Sequence, residues 1–419
     1  MTSWPAPAAA GPVSGRVVVP GSKSETNRAL VLAALADGPS SVFGALDSRD
    51  ARLMIHGLGE LGAVIQRTDE VVRVTPPARF LPGGTIDCGL AGTVMRFLPP
   101  VALLTGGAVR FVGDAHASQR PIAGLLAGLN QLGADTDSSA IPFTLVAPDE
   151  PRSVCEIDAS PSSQYVSGPL LVGARLPQGL TLRHTGKTLP SRPHIDMTVA
   201  MLRDRGVVVD EPDERTWVVR PGPIAPADAH IAPDLTNAAV FLAAAALTRG
   251  EVTIPHWPDD TTQAGERFLD LVESMGADVV EGADERTVRG TGQLRGVDID
   301  LSEASELTPV VAALALFADG TTTIRGVGHI RGHETDRLAA LAHEFAAAGA
   351  AVEETSDGLR IEGGRPLRPR EFATYDDHRM AHAAALVGLM VPGTTLDDVS
   401  CTAKTMPTFP ALWTTLCAR

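Results

Sequence analysis

Apolar positions along the chain fall into runs that are too uniform for a helix with one solvated face. The first run is "ALVLAALA", which begins at residue 29, and five similar runs rich in alanine and leucine follow it. A helix that is apolar on every side is buried in a protein core. Each run opens after a short polar cluster and ends near a turn that leads into a strand-like segment. The pattern therefore predicts buried helices that alternate with short strands.

This pattern occurs six times. The polar clusters begin at residues 24, 91, 162, 235, 306 and 377, so the copies recur about every seventy residues. A second, more polar helix follows in most copies and often ends in "LGA" or a near match before another strand, as in "GLNQLGADTD" and "LVESMGADVV". Chance similarity among alanine-rich helices is the alternative, and six copies in register disfavour it. The repeat predicts six α/β modules, each with two helices and several short strands.

Six modules in one chain divide most simply as three plus three. We predict an N-terminal domain over residues 23–234 and a C-terminal domain over residues 235–419 together with residues 1–22. If the buried helices of each domain are parallel, their N-termini meet at one end of that domain. Two such ends facing each other would form a cleft with a positive field, which suits polyanionic substrates.

Composition and charge narrow the classes of partner. The chain has 419 residues, of which 44% are apolar and 20% charged, values typical of a globular protein. Its formal charge of −15 argues against nucleic acid as a partner. The four cysteines lie far apart, without the spacing of a disulfide framework or a zinc site. With neither a secretion signal nor a membrane-spanning run expected, we predict a cytoplasmic protein without a membrane partner.

The three lysines are Lys23, Lys187 and Lys404, and two of them lie in turns rich in small and hydroxyl residues, "GSKS" and "CTAKT". The segment "GSKSETNR" is similar to a Walker A loop, but it lacks the first glycine, and Ser22 separates the Gly–Lys pair. A lysine and two hydroxyls at a helix N-terminus suit any phosphate or carboxylate. The segment therefore predicts an anion site without a nucleotide.

Most candidate side chains lie at the starts of the helices. One set opens the buried helices: Lys23, Ser24, Arg28, Gly92, Thr93, Ser162, Ser163, Gln164, Glu306, Asp377, His378 and Arg379. A second set lies in the loops before the second helices and in the C-terminal turn: Arg120, Ser191, Arg192, His194, His329, Arg331, His333, Glu334, Asp336, Arg337 and Lys404. Any one of these residues alone is more typical of a helix cap than of a ligand-binding group. Together, their positive charge and hydroxyl content favour anion recognition.

The segment "GVGHIRGHETDR" allows two other interpretations. Its glycines are spaced one residue too far apart for a dinucleotide-binding fingerprint. His329, His333 and Glu334 could suggest a metal site, but they do not form an H-E-x-x-H motif, and the surrounding arginines would repel a cation. A carboxylate among arginines is better suited to proton transfer on a bound anion. We therefore expect no metal at this segment.

Eight motifs along the chain then point to one family. They are "PGSKSETNRALVLAALA", "AGTVMR", "SQRPI", "SSQYVSG", "LPSRPHIDMT", "HETDRLAAL", "YDDHRMA" and "TAKTMPTFP". In this order they resemble the 5-enolpyruvylshikimate-3-phosphate synthase family over essentially the full chain. The resemblance implies an inside-out α/β barrel fold, with two domains of three repeats that close on substrate. It also implies enolpyruvyl transfer from phosphoenolpyruvate to the 5-hydroxyl of shikimate 3-phosphate in aromatic amino acid biosynthesis, by a monomer without a cofactor.

The resemblance also implies roles for individual residues. Shikimate 3-phosphate would be bound by Lys23, Ser24, Arg28, Ser162, Ser163, Gln164, Ser191, Glu306 and His333. Phosphoenolpyruvate would be bound by Lys23, Gly92, Arg120, Gln164, Arg337, Arg379 and Lys404. Glu306 matches the family's carboxylate near the attacking hydroxyl, Glu334 matches its proton donor to the methylene carbon, and Lys23 would contact both substrates. Thr93 and His378 would be supporting groups.

Several positions depart from the commonest family pattern. The departures are His333 in place of lysine, Leu90 and His329 in place of asparagine, and His194 in place of tyrosine. The motif "SELTP" lacks the usual aspartate after its proline, so Glu303 stays an alternative to Glu306 as the base.

The small Gly92 would leave room beside phosphoenolpyruvate for a bulkier analogue, and we expect glyphosate to compete there. Three alternatives remain. A transferase acting on UDP-N-acetylglucosamine would need a cysteine-bearing loop near "VGDAHASQRPI", where this chain has no cysteine. An RNA 3'-phosphate cyclase is disfavoured by the acidic balance, and a non-catalytic repeat protein that binds phosphometabolites would not turn substrate over.

Overall fold

The helices and strands follow the sixfold pattern of the sequence. The computed structural model describes residues 3–69 and 71–418. The α-helices of these residues are α1 (Lys23–Leu35), α2 (Arg49–Glu60), α3 (Gly92–Ala102), α4 (Ala123–Gln131), α5 (Gln164–Gly173), α6 (Arg192–Arg203), α7 (Leu235–Thr248), α8 (Arg267–Ser274), α9 (Thr308–Phe317), α10 (Arg337–Ala347), α11 (His378–Met390) and α12 (Phe409–Cys417). Short 3-10 helices span Ala115–Gln119, Ala264–Glu266, Ser305–Leu307, Gly328–Gly332 and Ser400–Lys404.

The strands are short and numerous. They are β1 (Trp4–Pro5), β2 (Ser14–Arg16), β3 (Ser40–Phe43), β4 (Val64–Arg67), β5 (Val71–Thr75), β6 (Thr85–Asp87), β7 (Ala108–Val112), β8 (Asp135–Thr136), β9 (Phe143–Val146), β10 (Val154–Ile157), β11 (Leu180–His184), β12 (Val209–Asp213), β13 (Thr216–Val219), β14 (Ala229–His230), β15 (Glu251–Pro255), β16 (Asp278–Glu281), β17 (Glu285–Arg289), β18 (Asp298–Asp300), β19 (Thr321–Arg325), β20 (Ala351–Glu354), β21 (Leu359–Glu362), β22 (Glu371–Phe372) and β23 (Thr395–Leu396).

Contacts divide the chain into two compact units. We call Gly21–Ile231 the first unit, and Met1–Pro20 with Ala232–Arg419 the second unit. The domain limits predicted from the sequence, and the substrate assigned to each domain, stay predictions.

The first unit encloses three helices in three sheets. Helices α1, α3 and α5 contact one another, and every residue of α3 is buried. The sheets have the orders β14-β3-β5-β4, β6-β7-β9-β8 and β10-β11-β13-β12. Each begins with a parallel pair and continues as an antiparallel hairpin. In β7, buried Val109 and Phe111 alternate with exposed residues, as expected for a strand with one solvated face. The helices are therefore inside this unit and the sheets outside.

The second unit repeats this arrangement around α7, α9 and α11, which also contact one another. Its sheets have the orders β16-β17-β15-β2, β18-β19-β21-β20 and β1-β23-β22. The N-terminal segment contributes to two of them, because β2 pairs parallel with β15 and β1 pairs antiparallel with β23. Phe241, Phe409 and Trp413 pack together in the core, with ring centroids 5.5–6.0 Å apart. Among the described residues, no helix combines the length and apolar character that crossing a bilayer requires.

Helix caps explain why polar residues gather at the helix starts. The Ser22 hydroxyl accepts a hydrogen bond from the Glu25 amide at the start of α1, and the carboxylates of Asp234, Asp336 and Asp377 accept amides at the starts of α7, α10 and α11. These caps satisfy backbone donors that have no partner within the helix. The side chains that follow the caps are thereby held at the helix N-termini, where negative charge is favoured.

Candidate active site

In the first unit, Lys23 is the first residue of α1 and faces a buried carboxylate. Its ammonium nitrogen lies 3.3 Å from Oδ2 of Asp50, in the first turn of α2. The Asp50 side chain is 2% exposed, whereas that of Lys23 is 20% exposed. The ion pair therefore restrains the Lys23 ammonium group, while part of the lysine side chain stays exposed. The sequence indicated no role for Asp50, because a carboxylate in a helix's first turn is usually a capping residue.

Gly92 is the first residue of α3 and lies next to Arg96 and Arg120. A Cβ atom on this residue would lie 2.8 Å from a terminal nitrogen of Arg96 and 3.3 Å from one of Arg120. Arg96, which is 3% exposed, donates to the Gln164 side-chain oxygen at 3.1 Å and to the Pro121 carbonyl at 2.8 Å. Arg96 thus joins three of the predicted segments. Arg96 is not among the residues predicted from the sequence, although its position four residues after Gly92 places both on one helix face.

Arg120 and the hydroxyl groups of the first unit are also held by local contacts. Arg120 donates to the Leu90 backbone carbonyl at 2.8 Å. Because the side chain of residue 90 takes no part in this bond, leucine can stand there in place of asparagine. The Thr93 hydroxyl accepts from the Asn27 side chain at 2.6 Å. The Ser162 hydroxyl accepts from the Gln164 amide at 3.3 Å. These residues come together around the N-termini of α1, α3 and α5.

Arg28 is buried at 1% exposure and is extensively bonded inside the first unit. It donates to the Thr198 hydroxyl at 2.7 Å, the Ser24 carbonyl at 3.0 Å and the His194 carbonyl at 2.9 Å. Burial lowers the pKa of its guanidinium to about 9. His194 accepts the Arg28 hydrogen bond through its backbone carbonyl. This bond does not depend on the side chain, so histidine can stand there in place of tyrosine.

Two further serines of the predicted set lie at helix starts. Ser163 precedes α5 and is 5% exposed, and Ser191 precedes α6 and is 9% exposed. Ser191 adopts a left-handed backbone conformation with φ of 52°. Both serines therefore lie, largely buried, at helix N-termini.

In the second unit, Arg337 is the centre of a buried charge cluster. Its guanidinium is 1% exposed and donates to three carboxylates. The distances are 2.9 Å to Glu306 Oε2, 2.9 Å to Glu334 Oε2, and 2.7 and 3.2 Å to the two oxygens of Asp377. These carboxylates raise the pKa of Arg337 well above its ordinary value against the opposing effect of burial. Charge-assisted bonds in this fork geometry are strong and directional.

Two more cations complete the cluster in the second unit. The Lys404 ammonium lies 2.5 Å from Glu334 Oε1, and both side chains are at most 10% exposed. Arg379 lies 3.5 Å from Glu306 Oε2 and donates to the Asn237 side-chain oxygen at 3.2 Å. Glu334 is thus held between Lys404 and Arg337. His378 is 2% exposed and lies beside the Asp377 carboxylate at 3.7 Å.

The two candidate bases lie in different surroundings. Glu306 belongs to the cluster around Arg337, whereas the Glu303 side chain is 43% exposed and pairs with Arg267. Burial would raise the pKa of Glu306, but the charges of Arg337 and Arg379 hold it well below the usual range. Glu306 is therefore ionised at neutral pH. This geometry favours Glu306 over Glu303 as the base, and the assignment stays a prediction.

His333 and His329 are neutral donors and acceptors here. Because an arginine can only donate, the contact of 3.0 Å between Arg337 and His333 Nδ1 makes that nitrogen an acceptor and leaves the proton on Nε2. Burial lowers the pKa of His333 to about 3, and it also lowers that of His329, whose Nε2 lies 2.9 Å from the Ser305 hydroxyl. A lysine at position 333 would add a positive charge, whereas neutral His333 offers the N–H of Nε2 as a hydrogen-bond donor.

The neutral state of His333 predicts an acid-dependent loss of stability. The unfolded histidine takes up a proton near pH 6.5, whereas the folded one stays neutral until about pH 3. As pH falls through this window, the free energy of unfolding drops by about 1.4 kcal/mol per pH unit for this one group. A His333→Asn variant should therefore lose less thermal stability than the wild type between about pH 7 and pH 5.

Thermal midpoints measured at both pH values test this expectation. His56→Asn is the matched control, since the His56 side chain is 66% exposed and lies outside the charge cluster around Arg337. An identical loss of stability in His333→Asn and the wild type would contradict the expectation.

Among the described residues, no group of three or more His, Cys, Asp or Glu side chains is placed to hold a metal ion. The cluster around Arg337 instead pairs three cations with three carboxylates: Arg337, Arg379 and Lys404 with Glu306, Glu334 and Asp377.

Comparison with known proteins identifies the relatives of this chain. The model of the EPSP synthase family (3-phosphoshikimate 1-carboxyvinyltransferase) matches residues 7–413. A 3-phosphoshikimate 1-carboxyvinyltransferase of Mycobacterium ulcerans (strain Agy99) is 49% identical over 418 residues, covering 98% of this chain and 97% of the relative. One of Kocuria rhizophila is 50% identical over 428 residues, covering 99% and 96%.

Solved structures show the same fold at low sequence identity. An EPSP synthase of Acinetobacter baumannii has a TM-score of 0.80 at 23% identity, covering 98% of this chain and 96% of that one. The enolpyruvyl transferase NikO of Streptomyces tendae has a TM-score of 0.77 at 23% identity, with the same coverage. These likenesses confirm the α/β fold class predicted from the sequence.

Proposed function

Because the chain belongs to the EPSP synthase family, we propose that the residues gathered around Lys23 and around Arg337 carry out its reaction. The chain is an enzyme of the shikimate pathway: it transfers the enolpyruvyl group of phosphoenolpyruvate to the 5-hydroxyl of shikimate 3-phosphate and releases phosphate. The observation that carries the assignment of the site is the buried Arg337, which holds Glu306 and Glu334 in one cluster of charges. That cluster offers both proton-transfer groups and cations for an anionic substrate.

The reaction has two stages with different demands. In the first, the methylene carbon of phosphoenolpyruvate gains a proton while the substrate hydroxyl loses one and its oxygen bonds to the adjacent carbon. In the second, the tetrahedral adduct loses phosphate, and a proton leaves the new methyl group to regenerate the double bond. The enzyme must supply an acid and a base and must offset the repulsion between two anions. Positioned acid–base groups typically contribute about 10²–10⁴-fold each.

Glu334 is our proposed acid. Its two oxygens face Arg337 and Lys404 at 2.9 and 2.5 Å, and both cations favour the charged carboxylate. When the carboxylate or phosphate of phosphoenolpyruvate binds these cations, their charge is shared with the substrate. Glu334 then holds a proton more readily and can donate it to the methylene carbon.

Glu306 is our proposed base, and the same logic applies to it. Ionised at neutral pH, it is ready to accept the hydroxyl proton, but its contact with Arg337 makes it a weak base. Substrate binding to Arg337 and Arg379 weakens these ion pairs and makes Glu306 a stronger base. Substrate binding thus raises the proton affinity of both Glu334 and Glu306.

The residues that we propose for phosphoenolpyruvate binding are those that the family resemblance implies. They are Lys23, Gly92, Arg120, Gln164, Arg337, Arg379 and Lys404. Oriented positive groups in a site that excludes water stabilise developing negative charge. Holding the two substrates in a reactive orientation can supply roughly 7–11 kcal/mol of the barrier reduction.

Shikimate 3-phosphate is proposed to bind at the helix starts of the first unit. The residues that the family resemblance implies for this role are Lys23, Ser24, Arg28, Ser162, Ser163, Gln164, Ser191, Glu306 and His333. The first-unit hydroxyls lie at helix N-termini, which favour phosphate. Since the Arg28 guanidinium is bonded to protein atoms, its contribution is nearby positive charge and the position of Ser24. A monomeric state and a cytoplasmic location stay predictions.

A phosphate-release assay with and without glyphosate tests the site. Purified protein should release phosphate only when both substrates are present. In Gly92→Ala, the added methyl group meets Arg96 at 2.8 Å and so crowds the space beside Arg120. The inhibition constant of glyphosate should rise by about tenfold or more, since one methyl group in a tight site costs roughly 1–3 kcal/mol.

The Michaelis constant for phosphoenolpyruvate should rise less than the inhibition constant, because the chain between phosphorus and carboxylate is one atom shorter in phosphoenolpyruvate than in glyphosate. Gly59→Ala is the matched control, since nothing lies within 4 Å of a Cβ placed there. Equal weakening of inhibitor and substrate would count against a site beside Gly92, and no turnover by pure protein would overturn the assigned reaction.

A further inference from the structure

The segment before α11 contains two adjacent residues with an unusual backbone. Tyr375 and Asp376 have φ angles of 56° and 53°, in the left-handed region. Aspartate tolerates this region, but a bulky residue such as tyrosine rarely adopts it. Among the described non-glycine residues with positive φ, these two form the one adjacent pair. Something outside the local backbone must therefore hold this conformation.

The holding group is a buried carboxylate on α10. Glu344 is 2% exposed, and its Oε1 accepts a hydrogen bond of 2.9 Å from the Tyr375 hydroxyl. Its Oε2 accepts from the Ala373 amide at 3.4 Å and lies 3.4 Å from the Arg370 guanidinium. Together, burial and the bond to Glu344 raise the pKa of Tyr375 to about 12, so the hydroxyl keeps its proton.

The segment is also fixed upstream of the left-handed pair. The amide and hydroxyl of Thr374 both donate to Asp397 Oδ1, at 2.9 and 2.8 Å. The Asp377 amide then donates to the Thr374 carbonyl at 2.9 Å, which closes the turn. With Thr374 anchored, the direction in which the chain reaches Asp377 depends on the conformation of Tyr375 and Asp376.

This turn places Asp377 next to Arg337. Its carboxylate is 0% exposed and accepts both bonds from Arg337, and it also accepts the Arg379 amide at 2.9 Å. Helix α10 begins with Arg337 and carries Glu344 two turns later. The helix and the turn are therefore tied at two points, Arg337–Asp377 at the site and Glu344–Tyr375 away from it.

We propose that Tyr375 and Glu344 are positioning residues for the phosphoenolpyruvate-binding arginines, because their hydrogen bond maintains the left-handed turn that aims Asp377 at Arg337. This inference rests on the proposed role of Arg337 and Arg379 in binding phosphoenolpyruvate. Without the tyrosine hydroxyl, residue 375 is free to return to negative φ, and Asp377 moves away from Arg337. A misplacement of about 1 Å in such a site can cost up to about a hundredfold in rate.

Three variants at these positions separate this role from simple packing. Tyr375→Phe removes the hydrogen bond and keeps the ring and the strain, and it should raise the KM for phosphoenolpyruvate about fivefold to tenfold. Tyr375→Gly also loses the bond, but glycine adopts positive φ without strain, so its KM should rise only about twofold. Glu344→Gln keeps an oxygen that can accept from the tyrosine hydroxyl, but its NH2 group then faces two donors, the Ala373 amide and Arg370. Its KM for phosphoenolpyruvate should therefore rise, but by no more than that of Tyr375→Phe.

Steady-state kinetics of the full chain with each substrate varied provides the readout, and thermal midpoints confirm folding. The KM for shikimate 3-phosphate should change less than about twofold in all three variants, because its proposed ligands lie mainly in the first unit. A wild-type KM for phosphoenolpyruvate in Tyr375→Phe overturns the proposal. So does a larger defect in glycine than in phenylalanine, which a packing role predicts, or an equal rise in both Michaelis constants.

Arg337→Gln is the reference that separates failure of this inference from failure of the proposed site. If Arg337→Gln binds phosphoenolpyruvate normally, the site assignment is wrong. If Arg337→Gln is impaired and Tyr375→Phe is normal, the site assignment stands and the positioning role is wrong.

Discussion

A Glu334→Gln variant is expected to lose turnover by about a thousandfold while it still binds both substrates. Glutamine has the size of glutamate but cannot give a proton to the methylene carbon. The change also removes one negative charge that now occupies Arg337 and Lys404. These cations are then freer to bind phosphoenolpyruvate, so its dissociation constant should stay unchanged or fall.

Single-turnover experiments in deuterium oxide test the role of Glu334 directly. The wild type should add solvent deuterium to the carbon that becomes a methyl group, and the variant should show almost none. Glu354→Gln is the matched control, since Glu354 also pairs with an arginine but is 36% exposed. Wild-type deuterium incorporation by Glu334→Gln would assign the proton donor to another residue, and a lost affinity for phosphoenolpyruvate would indicate a binding role instead.

Lys23→Ala is expected to abolish measurable turnover, with a loss of at least about a hundredfold. Lys23 is proposed to contact both substrates, so the variant should weaken the binding of both as well as abolish turnover. The structure adds a stability effect, because the variant leaves the 2%-exposed Asp50 carboxylate without its ion pair. Removing one partner of a buried ion pair costs about 3–5 kcal/mol, and the exposure of Lys23 reduces that figure.

A second substitution separates the catalytic loss from the stability loss. Lys23→Ala with Asp50→Asn removes the buried unpaired charge, so the thermal midpoint should recover while turnover stays absent. Lys187→Ala is the matched control, since Lys187 is an exposed lysine of the same unit and should keep full activity. Turnover restored in the double variant would mean that Lys23 acts only by balancing Asp50.

Several candidate site residues at the helix starts can be predicted from the sequence, whereas the residues that hold them cannot. Lys23, Gln164 and Arg379 were predicted from their position before buried apolar runs, and the structure places them at helix N-termini. Asp50 and Arg96 were missed, because nothing in their local sequence distinguishes a cap or a core arginine from a residue that holds a ligand-binding side chain. Their importance follows from what they touch, which local sequence does not specify.

Asp377 and Tyr375 show a related limit. The motif "YDDHRM" was recognised, but a hydrogen-bond partner of Tyr375 lies 31 residues away and one of Asp377 lies 40 residues away. The choice between Glu303 and Glu306 was open for the same reason. The two residues are three positions apart, yet one lies at the surface and the other faces Arg337.

The sixfold α/β repeat, the buried helices and the family can all be recognised without a structure, because burial periodicity and short ordered motifs are properties of neighbouring residues. The pairing of charges in the second unit follows from the fold. Arg337 meets Glu306 and Asp377 from segments 31 and 40 residues away, and Lys404 meets Glu334 across 70 residues. Such pairings depend on how separate repeats pack together, and the strength of a charge interaction depends on distance and burial, which exist only in the folded chain.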